Sequence, residues 1–123
     1  MINDDYTITN DDYTIINCCC LKGLNNLIEK KIKVHLTITS PPYYNVKDYV
    51  NYSSYTEYLD ILKNILKLLF KITEDGRMCC VNLSNILVQR ESRSHESRRI
   101  PLAFHFVPLM EDIGWKFIED IIW

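Results

Sequence analysis

The chain has 123 residues, 47% of them hydrophobic and 24% charged, with a formal net charge of −2. That much apolar material fills one modest domain and excludes a wholly disordered chain. The charge balance excludes a globally basic nucleic-acid wrapper, though not a locally basic surface.

Asn3-Asp4-Asp5-Tyr6-Thr7-Ile8 recurs as Asn10-Asp11-Asp12-Tyr13-Thr14-Ile15. One seven-residue repeat is too short for a solenoid. Residues 1–12 are expected to be a flexible tail, with edge-strand pairing of the first copy as the alternative. The second copy runs through Ile15 and Ile16 into cysteines and reads as the first core strand, Tyr13–Cys19. Cys18, Cys19, Cys20, Cys79 and Cys80 are odd in number and lack zinc-knuckle spacing. They read as buried thiols of a protein in a reducing cytoplasm, with no metal site expected.

Leu21, Leu24, Leu27 and Ile28 have helical spacing, closed by Lys30, Lys31 and Lys33 with charges suited to a helix carboxyl end. Val34–Thr39 is strand-like. The next residues, Ser40-Pro41-Pro42-Tyr43, cannot continue a ladder, because each proline lacks a donor and Pro42 disfavours a helical conformation at Pro41. A stiff loop at the carboxyl end of a strand is where ligands bind in parallel sheets. It presents a hydroxyl, free carbonyls and an aromatic ring. From Tyr55, the positions Leu59, Leu62, Ile65, Leu66, Leu69 and Phe70 mark a long amphipathic helix. Asp75-Gly76 reads as a turn, Arg77–Leu83 as a buried strand, Ser84–Arg99 as a charged loop, and Pro101–Asp112 as a helix ended by Gly114. Trp115–Trp123 reads as one or two short strands. No run of 18 apolar residues and no basic-then-apolar leader occurs, so neither membrane spanning nor export is expected. Strands alternating with helices predict an α/β fold with a mainly parallel sheet, its strand ends after Thr39 and Leu83 at one edge.

This combination resembles the amino-group DNA methyltransferases, which modify adenine N6 or cytosine N4, in the permuted subgroup whose catalytic segment comes first. Thr39-Ser40-Pro41-Pro42-Tyr43 is similar to the catalytic motif and Asp48-Tyr49 to the segment that follows it. Asp75-Gly76, Val81-Asn82, Arg99-Ile100-Pro101-Leu102, Gly114-Trp115 and Asp120-Ile121-Ile122-Trp123 extend the likeness over about residues 13–123. Three positions depart from it. Cys18-Cys19-Cys20-Leu21 stands where the family has Gly-Asp-Cys-Leu, and His35-Leu36 where it has Asp-Leu. No Phe-x-Gly-x-Gly cofactor segment occurs.

The resemblance implies a partial Rossmann-like methyltransferase fold over residues 13–123, an incomplete catalytic domain whose cofactor segment lies beyond Trp123. It implies S-adenosylmethionine as methyl donor, no metal, double-stranded DNA as substrate, and a restriction-modification setting. Ser40, Pro41, Pro42 and Tyr43 are the catalytic candidates: Ser40 Oγ and the Pro41 carbonyl accept from the amine, and Tyr43 stacks on the base. Asp48, Tyr49, Asn82 and Ser84 are candidates for contacting substrate, and Arg90, Arg93, Arg98 and Arg99 for DNA phosphates. The isolated chain is expected to be inactive, with a complementary fragment or self-association completing it. The alternative is a noncatalytic remnant serving protein association or DNA binding.

Overall fold

The computed structural model describes residues 5–44, 52–88, 92–94 and 96–122. In chain order the elements are β1 (Tyr6–Thr9), β2 (Thr14–Asn17), α1 (Cys20–Glu29), β3 (Val34–Thr39), α2 (Tyr55–Ile72), β4 (Thr73–Val81), β5 (Ile86–Val88), β6 (Arg98–Ile100) and α3 (Leu102–Ile113).

Helix α2 carries the core. Tyr58, Leu62, Leu66, Leu69 and Ile72 recur every three or four residues along one face and are buried, together with Ile86, Leu102 and Phe106. Its start is capped: Ser54 Oγ accepts from the Glu57 backbone N–H at 3.1 Å. The Glu57 carboxylate in turn accepts from the Ser53 N–H at 2.6 Å and the Ser53 hydroxyl at 2.7 Å. At its far end Lys33 Nζ donates to the Lys71 carbonyl at 2.8 Å, so this lysine caps α2 rather than the helix before it. Thr73 Oγ1 donates to the Leu69 carbonyl at 2.7 Å, and the chain passes directly into β4.

Strands β3 and β4 pair in parallel, from Leu36 opposite Met78 through Thr39 opposite Val81. Val34 opposite Thr73 belongs to a different register. Between these pairs β3 advances from 34 to 36 while β4 advances from 73 to 78. The surplus is a bulge containing Gly76 at φ 73°, a value that suits a residue without Cβ. The expected Asp75-Gly76 turn is therefore a bulge inside a longer strand. Val34, Cys79 and Val81 pack on the core. On the opposite face Leu36, Ile38 and Met78 are 50%, 75% and 57% exposed, and Cys80 is exposed beside them.

The structure differs from the sequence reading in further places. The two repeat copies pair with each other in an antiparallel hairpin, Ile8 opposite Ile15 and Thr9 opposite Thr14. Over residues 5–12 a hairpin thus replaces the expected tail. Asn10 Oδ1 closes its turn by accepting from the Asp12 and Tyr13 N–H groups, each at 2.9 Å, and an Asp5–Lys22 ion pair ties it to α1. The mainly parallel sheet is realised, among the described residues, as three two-stranded sheets of which β3–β4 alone is parallel. The charged loop contains an antiparallel pair, β5–β6, with Ile86 opposite Ile100. Residues 115–122 form no strand; they have no ladder partner, and Phe117, Ile118, Ile121 and Ile122 are exposed.

The cysteines also differ from expectation. All five are free, but only Cys18 and Cys79 are half-buried, and Cys19, Cys20 and Cys80 are exposed. Burial, with Cys80 adjoining, pushes the Cys79 thiol up to about 11, so it stays protonated at neutral pH.

Two predictions follow from this packing. A Cβ added at Gly114 would lie 2.9 Å from Phe70 Cζ on a backbone at φ 120°. Gly114→Ala is therefore expected to cost about 1–3 kcal/mol in urea denaturation, through strain and displacement of Phe70. The hydrogen bonds from Ser53 hold the Glu57 carboxyl below its ordinary 4.5. A depressed carboxyl pKa contributes stability that is present above the unfolded value and is lost as pH falls through the folded one. Melting scans should show the wild type losing more stability than Glu57→Gln as pH drops below 4.5.

Candidate active site at the parallel strand ends

Because β3 and β4 run in parallel with Thr39 opposite Val81, Ser40 and Asn82 leave the sheet side by side. The Asn82 backbone N–H donates to the Thr39 carbonyl at 2.8 Å, adding one rung beyond the last pair. Here Pro41 and Pro42 stop β3, and the chain turns so that Tyr43 comes back over its own strand end.

Three side chains meet there. Ser40 Oγ donates to the Tyr43 hydroxyl at 3.3 Å. Asn82 Nδ2 donates to Ser40 Oγ at 3.5 Å and to the Tyr43 hydroxyl at 3.4 Å. These contacts are long, so each is weak, and the group is exposed or half-buried. With its proton directed at Tyr43 and one lone pair facing Asn82, Ser40 Oγ keeps a second lone pair available to an incoming donor. The arrangement is an acceptor beside an aromatic ring on a rigid edge.

Next to Tyr43 lies a cluster of aromatic side chains. Tyr44 stacks on Tyr52 at 6.1 Å, and both lie against the buried Tyr58, at 5.5 and 5.0 Å. Tyr55 meets Tyr44 edge-on at 5.6 Å, and its hydroxyl is 2.8 Å from His105 Nδ1 on α3. Burial raises the Tyr55 phenol, and burial, followed by the neighbouring phenols, pushes Tyr58 up to about 12. The sequence reading assigned no role to Tyr58. The signal for Tyr58 was present in the sequence, because it begins the spacing continued by Leu62, Leu66 and Leu69.

The structure thus brings together Ser40, Tyr43 and Asn82, with Pro41 half-buried and Pro42 exposed next to them. Ser84 turns to the Asn85 carbonyl at 3.4 Å. Asp48, Tyr49 and Arg90 lie outside the described residues. Arg93, Arg98 and Arg99 are exposed. Arg98 sits opposite Val88 and Arg99 opposite Leu87, so these two arginines leave opposite faces of the ribbon. A hollow of about 150 Å³ lies elsewhere, between the hairpin and α1, lined by Asp5, Ile16, Asn17, Lys22 and Asn26 among others. Among the described residues no group of histidine, cysteine or acidic side chains could hold a metal ion. No helix among them is long and apolar enough to cross a membrane.

Comparison with known proteins adds the decisive observation: residues 34–123, from the start of β3 onward, match the N6/N4 methyltransferase family described as DNA methylase. The chain belongs to the DNA methylase family. Over 89 residues the chain is also 28% identical to the type II beta methyltransferase M.BslI of Bacillus sp. (strain NEB-606). The aligned part is 70% of this chain and 10% of that relative, so the chain spans a small part of the relative's length. No solved structure matches. The family match begins where the parallel pair begins, and it includes Ser40, Tyr43 and Asn82.

Asn82→Ala removes both side-chain contacts but keeps the backbone rung. Since the bonds are long and exposed, the expected loss of stability is below about 1 kcal/mol. Tyr43 should become more mobile, seen as averaging of its ring resonances; an unchanged Tyr43 spectrum would show that Asn82 does not hold it.

Proposed function

We propose that this chain supplies the amine-binding half of a methyl-transfer site, acting on cytosine N4 or adenine N6 of double-stranded DNA in a restriction-modification setting. The observation that carries this reading is the Ser40–Tyr43–Asn82 group at adjacent parallel strand ends of a DNA methylase. The type II name of the M.BslI relative supports the setting. A Rossmann-like sheet extended from β3–β4 and a cytoplasmic location accord with it.

S-adenosylmethionine, the donor such a reaction needs, carries its methyl group on a sulfonium. The described glycines do not fit a nucleotide cradle: Gly23 backs onto Cys18 Sγ, Gly114 onto Phe70, and Gly76 sits in the bulge. We therefore assign no residue of this chain to holding the donor. The residues present address the amine instead. An exocyclic amine is a poor nucleophile because its lone pair is delocalised into the base. Ser40 Oγ and the Pro41 carbonyl accept its two N–H groups, which favours a pyramidal nitrogen with its lone pair turned away from the acceptors. The Tyr43 ring receives the flipped base; stacking of this kind is worth about 1–3 kcal/mol and offsets part of the cost of unstacking. Alignment and electrostatics supply the rate, and the amine proton leaves to solvent. Asp48 and Tyr49 organise the loop or contact DNA, Asn82 and Ser84 line the base side, and Arg90, Arg93, Arg98 and Arg99 meet phosphates, which sets orientation without reading sequence.

A second reading, protein association by a noncatalytic fold, is favoured by the uncovered apolar face of Leu36, Ile38 and Met78. Light scattering separates the readings in part: a discrete dimer supports association, and a monomer with dispersed amide resonances opposes it.

The chain by itself should bind S-adenosylmethionine poorly in isothermal titration, and micromolar binding would overturn the assignment of the donor site elsewhere. When the cofactor-binding portion is supplied, Ser40→Ala should lower single-turnover methyl incorporation by tenfold or more, about 1.4 kcal/mol, with donor affinity unchanged. An unchanged rate in the folded variant would remove Ser40 from the chemistry.

A further inference from the structure

Tyr58 is fully buried, at 0% exposure, yet its hydroxyl has no hydrogen-bond partner among the described residues. A phenylalanine would fill the same space without that defect. Burying an unpaired hydroxyl costs about 1–3 kcal/mol, so the group calls for an explanation other than packing. Its surroundings supply one. The rings of Tyr52 and Tyr55 lie 5.0 and 6.1 Å from that of Tyr58, and that of Tyr44, the residue after Tyr43, lies 5.5 Å from it; after burial, the phenols of Tyr52, Tyr55 and Tyr43 raise its pKa further. The Tyr55 oxygen is engaged with His105 at 2.8 Å. Among the described residues the Tyr43 oxygen accepts from Ser40 and Asn82 at 3.3 and 3.4 Å, at the loose end of hydrogen-bond geometry. That hold also places the Tyr43 hydroxyl on Ser40 and Asn82, across the strand ends that an incoming amine must approach.

The ring of Tyr58 has a separate task. Tyr44 and Tyr52, which bracket residues 45–51, both rest on it and on each other. Tyr44, Tyr52 and Tyr58 thus form a clasp, and Tyr43, one residue before Tyr44, has no ring contact in it among the described residues.

We propose that Tyr58 is a positioning residue: its ring seats the Tyr44–Tyr52 clasp, and its hydroxyl donates to the Tyr43 phenol oxygen when Tyr43 leaves Asn82 to stack on a target base. The structure of the free chain holds Tyr43 in the first position, and the unpaired Tyr58 donor marks the second. This inference rests on the methyl-transfer reading, because it needs a base to draw Tyr43 away.

The test uses the chain with ¹³Cζ-labelled tyrosine, as wild type, Tyr58→Phe and Tyr58→Leu. The probe is a short single-stranded oligodeoxynucleotide carrying one cytosine and one adenine in a thymine tract, since an unpaired base costs least to engage. In the wild type the Tyr43 ζ-carbon should shift on titration. Tyr58→Phe should melt at or above the wild type, bind the probe about three- to tenfold more weakly, as the loss of one hydrogen bond implies, and lose the Tyr43 shift. Tyr58→Leu should lose the clasp, melt lower and bind more weakly still. A Phe variant matching the wild type in affinity and Tyr43 response overturns this inference alone. One that melts markedly lower also overturns it, since the hydroxyl is then satisfied in the free chain. A wild type that ignores the oligonucleotide counts against the methyl-transfer reading as well, and this inference falls with it.

Discussion

Burial of one stripe on α2 is the constraint on which the other elements depend. Tyr58, Leu62, Leu66, Leu69 and Ile72 supply most of the buried apolar side chains among the described residues, and α1, β3, β4 and α3 each place apolar groups against them. No other described element has a continuous buried face. The amino end of the same stripe is Tyr58, which packs against Tyr44 and Tyr52, and its carboxyl end leads without a connecting loop into the strand that delivers Asn82. The candidate site is thus tied to the core through both ends of one helix. Such a layout holds Ser40, Tyr43 and Asn82 in fixed relation, since the segments that carry them are referred to the same rigid body.

The electrostatics at the strand ends are mild. Ser40, Tyr43 and Asn82 are neutral, and no ion pair among the described residues involves them. Neutral hydroxyl and amide groups there offer hydrogen bonds without a formal charge. Arg98 and Arg99 lie instead on the β5–β6 ribbon, where they point to opposite sides.

Much of this was legible in the sequence where one physical signal dominated. Val34–Thr39 is a run of β-formers stopped by two prolines, and its bounds agree with β3. The helix from Tyr55 declares itself by its apolar spacing and a Ser-rich start. Of the site, the adjacency of Ser40 and Asn82 follows from parallel pairing, but the bonds joining them to Tyr43 depend on how the proline turn folds back, and no spacing rule encodes that. The β5–β6 pair was hidden because three-residue strands bearing two arginines carry no periodicity of their own. The hairpin of the repeats was more accessible: Asn-Asp-Asp between two Thr-Ile runs is turn chemistry, and a tandem copy is the natural partner of its twin. The strand expected after Trp115 failed for the opposite reason, since apolar residues there have no neighbouring ladder to join.

The bulge in β4 separates two registers of one strand, and this bears on how such a chain can change length over evolution. Residues 74–77 are exposed and already out of step with β3, whereas Met78 to Val81 are locked opposite Leu36 to Thr39. An insertion or deletion at Gly76 would be taken up by the loose part of the strand. The same change three residues later would move Asn82 off the Thr39 carbonyl and reverse which side chains face α2. The bulge therefore works as a buffer, letting the base of the sheet vary in length while the distance from Ser40 to Asn82 stays fixed.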